Sequence, residues 1–277
     1  MPTAELFRLE TTDVPTRFTW EPSAYLLTPA GTLQGGAALG GVASALSTVT
    51  GRPLLWATAQ YLSYAAGTDR YTLDVTVEVA GHNTTQARCV VTRDGREVLT
   101  AHAALGGRTI EHGGVWAIMP EVPAPDDCEP YQFFKPSEND LAGLIDVRLA
   151  RGRQQSHLDG TPGDGSWAVW FRVEKGVHDT CVGELAFISD FAPMAFSDAL
   201  GHAYAGNSLD NTIRMGTLVP TEWVLLSVHV NHVMNGFGHA NADLWAQDGT
   251  LLAQGSQTAV VRMNDYIKRR GVPDGAV

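Results

Sequence analysis

At 277 residues, with 44% hydrophobic residues and a formal net charge of −11, the chain can bury a sizeable core beneath an acidic surface. That charge argues against nucleic acid as a partner, because phosphates call for a basic face. No run of about 18 apolar residues is present, so no membrane span is expected. Three scattered cysteines, Cys89, Cys128 and Cys181, fit neither a disulfide framework nor a CxxC metal site.

In chain order, residues 17–20 read as a short strand. Residues 36–50 read as an apolar helix rich in small residues, closed by the stop signal Gly51-Arg52-Pro53. Residues 73–79 alternate strictly, and 86–92 and 97–105 then flank an Asp94-Gly95 turn, a hairpin signal. From Gly106 to about Pro136, paired glycines and five prolines mark a linker. Residues 167–173 read as a strand and 191–204 as a helix with Asp190 just ahead of it. Residues 223–233, 238–246 and 251–262 form a meander, the last two joined by an Asp248-Gly249 turn. The start, Met1-Pro2-Thr3-Ala4-Glu5, lacks a basic region followed by an apolar one, so no secretory signal is read and a reduced cytoplasm is the expected compartment.

The two Asp-Gly turns lie 154 residues apart, and the same offset lays residues 36–46 over 190–200 without a gap. Ala45/Ala199, Leu46/Leu200, Thr58/Thr212 and Val79/Val233 then coincide. The chain therefore reads as one pattern written twice: a first repeat at 1–112, a linker at 113–139 and a second repeat at 140–277. Each half is a strand, a helix and an antiparallel meander, an α+β arrangement with its apolar helix wrapped by the sheet. Such a unit resembles the hotdog fold, whose domains pair edge to edge. A tandem copy would make that pair within one chain, and leftover sheet edges would leave room for a homo-oligomer of such double-hotdog protomers.

The offset also acts as an internal control. Asp190 falls over Gly36, Ser208 over Leu54 and Gln257 over Ala103, so three polar side chains replace glycine, leucine and alanine. Burying an unpaired polar group costs about 1–3 kcal/mol, so such residues should satisfy one another or do work. Taken singly, each has a plainer account. Asp190, with Ser189, could cap a helix starting at Phe191; Ser208 could be a loop hydroxyl; Gln257 could lie on the outer face of its strand.

The segments Ile188-Ser189-Asp190, Ser208-Leu209-Asp210, Glu222-Trp223, Gln247-Asp248-Gly249 and Gln257-Thr258-Ala259 resemble the second half of the TesB-type acyl-CoA thioesterases, which are double-hotdog enzymes. That resemblance implies that Asp190, Ser208 and Gln257 hold the hydrolytic water. It also implies an acyl-CoA substrate and neither metal nor other cofactor. Leu33-Gln34-Gly35-Gly36 is similar to the family's Gly-Gly helix entry. Gly35 and Gly36 are then the expected substrate-binding residues, their amides facing the thioester carbonyl at the positive end of a helix. After the Ser site, residues 211–217 depart from the His-rich, aromatic stretch usual in that family.

Two rivals stay open. A hotdog hydratase or dehydratase of enoyl thioesters would need a histidine, for which His202 is the candidate. A non-catalytic acyl-thioester binder would use the triad only to close a polar pocket. His229 and His232, three apart in a strand, make poor joint metal ligands, and His239 reads as a strand-end residue. No GxSxG elbow, Rossmann or P-loop glycine pattern is present. Lys268-Arg269-Arg270 is the one dense basic cluster, either a phosphate contact or a solvated tail.

Overall fold

The computed structural model describes residues 3–63, 67, 69–134, 138–173 and 180–263, so the basic cluster at 268–270 lies outside the described residues. Its first half contains β1 (Glu10–Thr11), β2 (Arg17–Trp20), α1 (Gly35–Thr50), β3 (Leu54–Tyr61), β4 (Tyr71–Ala80), β5 (Thr84–Arg93) and β6 (Arg96–Gly106). The short strands β7 (Glu129–Pro130) and β8 (Ile145–Arg151) follow. The second half contains β9 (Ser166–Val173), α2 (Val182–Ser189), α3 (Ala195–Leu200), β10 (Tyr204–Ser208) and β11 (Asp210–Met215), then β12 (Val224–Met234), β13 (Phe237–Ala246) and β14 (Leu251–Met263).

All the described strands belong to one antiparallel sheet, in the order β1-β2-β4-β5-β6-β3-β11-β14-β13-β12-β9-β8-β7, with β10 pairing to β14. The order within the second half mirrors that of the first, and β3 and β11 form the seam. There Thr58 sits directly opposite Thr212, and their hydroxyls lie 2.8 Å apart. These two residues are 154 apart, so the pseudo-twofold relation runs through this pair. The architecture is the double hotdog expected from the repeat, a mixed α+β fold.

The reasons are local. In β4, β5 and β6 the inward positions are apolar and buried, among them Leu73, Val75, Cys89, Val91, Leu99 and Ala101. The β5–β6 turn puts both Asp94 and Gly95 at positive φ, 51° and 74°. In the second copy only Gly249 does so, at 86°, while Asp248 accepts a hydrogen bond from the Thr250 amide.

Helix α1 buries small residues on most of its surface and ends at Gly51, whose φ of 63° is the expected stop. The second helix differs from expectation. Instead of one helix over 191–204 there are α2, a 3-10 turn at Ala192–Met194 and α3. Pro193 has no N–H to continue the ladder, so the chain re-forms as a separate turn. Cys181 caps α2, and Asp190 is its C-terminal cap with αR dihedrals, so Asp190 is not the N-cap of a helix beginning at Phe191.

The two helices run antiparallel and in close contact. A Cβ on Gly36 would collide with the Ala186 carbonyl and lie 2.6 Å from the Asp190 Cβ, while one on Gly40 would meet Gly183 at 3.0 Å. One apolar core runs through both halves. A second, smaller one lies on the outer face of the second half, where Trp170, Trp223, Leu225 and Trp245 are covered by Ala117, Met119 and Val122 of the linker. Trp170 donates its indole N–H to the Pro123 carbonyl at 2.9 Å. That stretch is a strap laid on the sheet, which its loop-like composition did not suggest.

Candidate active site

Four polar side chains of the second half meet where α2 ends over the inner face of the sheet. Gly255 on β14 makes this possible, because a Cβ there would strike the Ser189 hydroxyl. The end of α2 therefore sits directly on the strand, and Asp190 reaches Gln257 two residues along.

Gln257 Nε2 donates to Asp190 Oδ1 and to Ser208 Oγ, each at 2.5 Å. Ser208 Oγ donates to the same Oδ1 at 3.4 Å, and Asn211 Nδ2 donates to it at 3.3 Å. The Gly36 amide of α1 also faces the carboxylate. Burial dominates over these hydrogen bonds and raises the Asp190 carboxyl to about 6. At neutral pH the group is ionised yet can still take a proton.

Each of the three expected polar residues is thus in one cluster. Gln257 is 1% exposed, pointing inward rather than onto the outer face of its strand. Asn211, wholly buried, is a member that the expectation left out. The same offset could have found it, because Asn211 falls over Ala57.

Gly35 and Gly36 do stand at the entry of α1 beside the carboxylate, but they differ in situation. The Gly36 amide faces Asp190, whereas Gly35 borders the cavity. Gln34 fixes this entry from both sides, accepting from the Ala37 amide at 2.6 Å and donating to the Phe187 carbonyl of α2 at 2.9 Å.

A cavity of about 600 Å³ opens at Asp190 and Ser208. It extends past Leu33 and Phe191 into the first half, among Trp20, Tyr71, Leu73 and Leu99, and is bordered by Phe133 and Phe134 from the segment after the strap. An apolar chamber with a few convergent polar groups at one end suits a ligand with a greasy tail and a polar reacting end.

No histidine borders this chamber among the described residues. His202 is exposed and packs near Gly160. His232 lies beside His239, with ring centroids 5.8 Å apart. Among the described residues no group of three or more His, Cys, Asp or Glu could hold a metal ion, and no helix is long and apolar enough to cross a membrane.

Residues 125–261 match the family model described as the acyl-CoA thioesterase C-terminal domain. A solved structure described as a thioesterase, from Novosphingobium aromaticivorans, is 30% identical, with 91% of this chain and 97% of that chain covered and a TM-score of 0.78. A TesB protein from Mycobacterium avium subspecies paratuberculosis has the same fold at 17% identity, covering 93% and 97% with a TM-score of 0.76. So does an acyl-CoA thioesterase II from Mycobacterium marinum, at 19% identity, 94% and 96% coverage and a TM-score of 0.73. No sequence match was found among curated proteins.

Proposed function

This chain belongs to the TesB-type acyl-CoA thioesterases, a double-hotdog family of thioester hydrolases, and from that premise we propose that Asp190, Ser208 and Gln257 cleave an acyl-CoA by direct attack of water. The observation that carries this reading is the asymmetry of the carboxylate. Every side-chain donor in the cluster lands on Oδ1, while Oδ2 is turned toward Gly35 at the cavity wall. A carboxylate anchored by one oxygen presents the other as a fixed proton acceptor.

Asp190 Oδ2 takes a proton from water beside Ser208 as the water oxygen attacks the thioester carbon. The tetrahedral oxyanion collapses, the C–S bond breaks and the thiolate leaves with the proton that Asp190 returns. Gln257 and Asn211 stand behind the carboxylate and hold its orientation. The Gly35 amide, at the positive end of α1 beside the cavity, polarises the carbonyl. The acyl chain lies in the apolar chamber. General-base assistance of this kind contributes about 10²–10⁴-fold to rate.

Incubation with octanoyl-CoA, following free thiol with a thiol reagent, tests the reading. Continuous thiol release is expected. An absorbance change on crotonyl-CoA without thiol release would instead indicate a hydratase, and silence on both substrates a binding protein.

A further inference from the structure

Tyr61, at the end of β3, crosses the seam toward the site, and its amide donates to the Leu209 carbonyl at 2.9 Å. Its hydroxyl is buried against the cavity, where the Asn211 side chain approaches it but no bond of good geometry satisfies it. A Cβ built on Gly35 would lie 3.0 Å from that hydroxyl oxygen and 3.1 Å from Asp190 Oδ2. The phenol and Asp190 Oδ2 therefore flank one point at the entry of α1, where only a glycine leaves room.

The other side-chain donors of the cluster are committed, which leaves the phenol as the side-chain donor able to join the Gly35 amide at the carbonyl. Gln257, Ser208 and Asn211 all donate to Asp190 Oδ1, and the Gly36 amide faces the same carboxylate. We propose that the Tyr61 hydroxyl, contributed by the first repeat, donates a hydrogen bond to the thioester carbonyl oxygen, so that Tyr61 is a catalytic residue of the site. This rests on the hydrolytic reading above. The carbonyl oxygen gains negative charge as water adds, and a donor preset in a dry site stabilises that charge more than the ground state. No proton is transferred, and the phenol stays a donor throughout.

Two further observations agree. Burial, and then the nearby Asp190 charge, raise the Tyr61 phenol well above its ordinary range, outweighing the hydrogen bond of the Asn211 side chain, so its proton stays on at working pH. The position 154 residues later is Met215, so the pseudo-twofold counterpart of this site has no phenol, just as Gly36 and Ala103 give it no carboxylate and no amide.

Tyr61→Phe keeps the ring that packs on Gly35 and removes only the hydroxyl. Expected are a fall in kcat of about 10²-fold with little change in KM, and a melting temperature close to that of the wild type. The decisive comparison uses two stable CoA analogues. One is a ketone in which methylene replaces sulfur and the carbonyl remains; the other is an alkyl thioether without a carbonyl. Tyr61→Phe should weaken the ketone about tenfold, a typical value for one lost hydrogen bond, and leave the thioether unchanged. Equal binding of the ketone by both proteins, or equal loss for both analogues, would overturn the proposal. A wild type that binds both analogues but releases no thiol would fail the hydrolytic reading, while the ketone comparison would still decide Tyr61.

Discussion

Asp190→Asn is expected to lower kcat on an acyl-CoA by about 10³-fold while leaving the fold intact, because general-base assistance of about 10²–10⁴-fold disappears with the carboxylate. Asparagine has nearly the same shape, and its carbonyl oxygen can still accept from Gln257, Ser208 and Asn211. It cannot accept the proton of the attacking water. The stability effect has a definite sign. Burial raises the folded-state Asp190 carboxyl to about 6, above the ordinary 3.8. The folded protein thus binds that proton more tightly than the unfolded chain, and this group's contribution to stability falls as pH rises from about 4 to about 6. At pH 7 the ionised carboxylate costs about 1–3 kcal/mol. Asp190→Asn should therefore melt no lower than the wild type at pH 7, and somewhat higher. A variant that keeps most of its kcat would remove Asp190 from the chemistry. One that is inactive because it unfolds would show the group to be structural.

Separating the two repeats should be as damaging as removing the carboxylate. The seam joins β3 to β11 through a full antiparallel ladder, and α1 packs on α2 so closely that Gly36 has no room for a methyl group. A lone half exposes an unpaired central strand and the apolar face of its helix, an invitation to association or aggregation. The cut should fall after Gly106, because the strap at 117–122 covers Trp170, Trp223 and Trp245 of the second half. Residues 1–106 and 107–277 expressed separately are expected to be insoluble or associated, and co-expression to restore a soluble, active complex. The expected activity of either half alone is nil, since the cavity borrows Tyr61, Gly35 and the chamber walls from the first half and Asp190 and Ser208 from the second. Size-exclusion chromatography and thiol release on the three preparations check this. Two halves that are each monomeric and melt cooperatively would contradict the pseudo-dimer.

The long strands of the two meanders are legible in the sequence because their two faces differ, whereas the edge strands β1, β7 and β8 are not. Residues 73–79 alternate apolar and polar, and β4 was readable from that alternation. The strands at the seam were not. In β3 the inward residues are Ala57 and Ala59, too small to stand out, and β11 opens Asp210-Asn211-Thr212, where Asn211 turns to the site, Asp210 takes the Thr258 amide and Thr212 meets Thr58 across the seam. A strand that supplies the site loses the apolar signature by which strands are recognised. The second helix was misplaced for a related reason. The repeat offset points to a helix from Phe191, whereas the regular helix is Val182–Ser189 and the chain after it re-forms as a 3-10 turn with Pro193 in its first turn and then α3. Asp190, Ser208 and Gln257 could be singled out because the first copy shows what the scaffold carries without them. Asn211 gives the same signal against Ala57. Tyr61 gives little signal, since an aromatic residue at a strand end is ordinary and its meaning depends on the neighbouring Gly35 and on the burial of its hydroxyl against the cavity.

The pH dependence of kcat/KM, measured on octanoyl-CoA from about pH 5 to 8.5 in wild type and Asp190→Asn, tests the role of Asp190 as base most directly. That ratio reports the titration of the free enzyme's essential groups. A base must be deprotonated, so wild-type activity should climb about tenfold per pH unit below about 6 and level off above it, following the Asp190 carboxyl at about 6. In Asp190→Asn the small residual activity should show no such limb. A wild-type profile that runs flat through pH 6, or the same limb persisting in Asp190→Asn, would contradict the account.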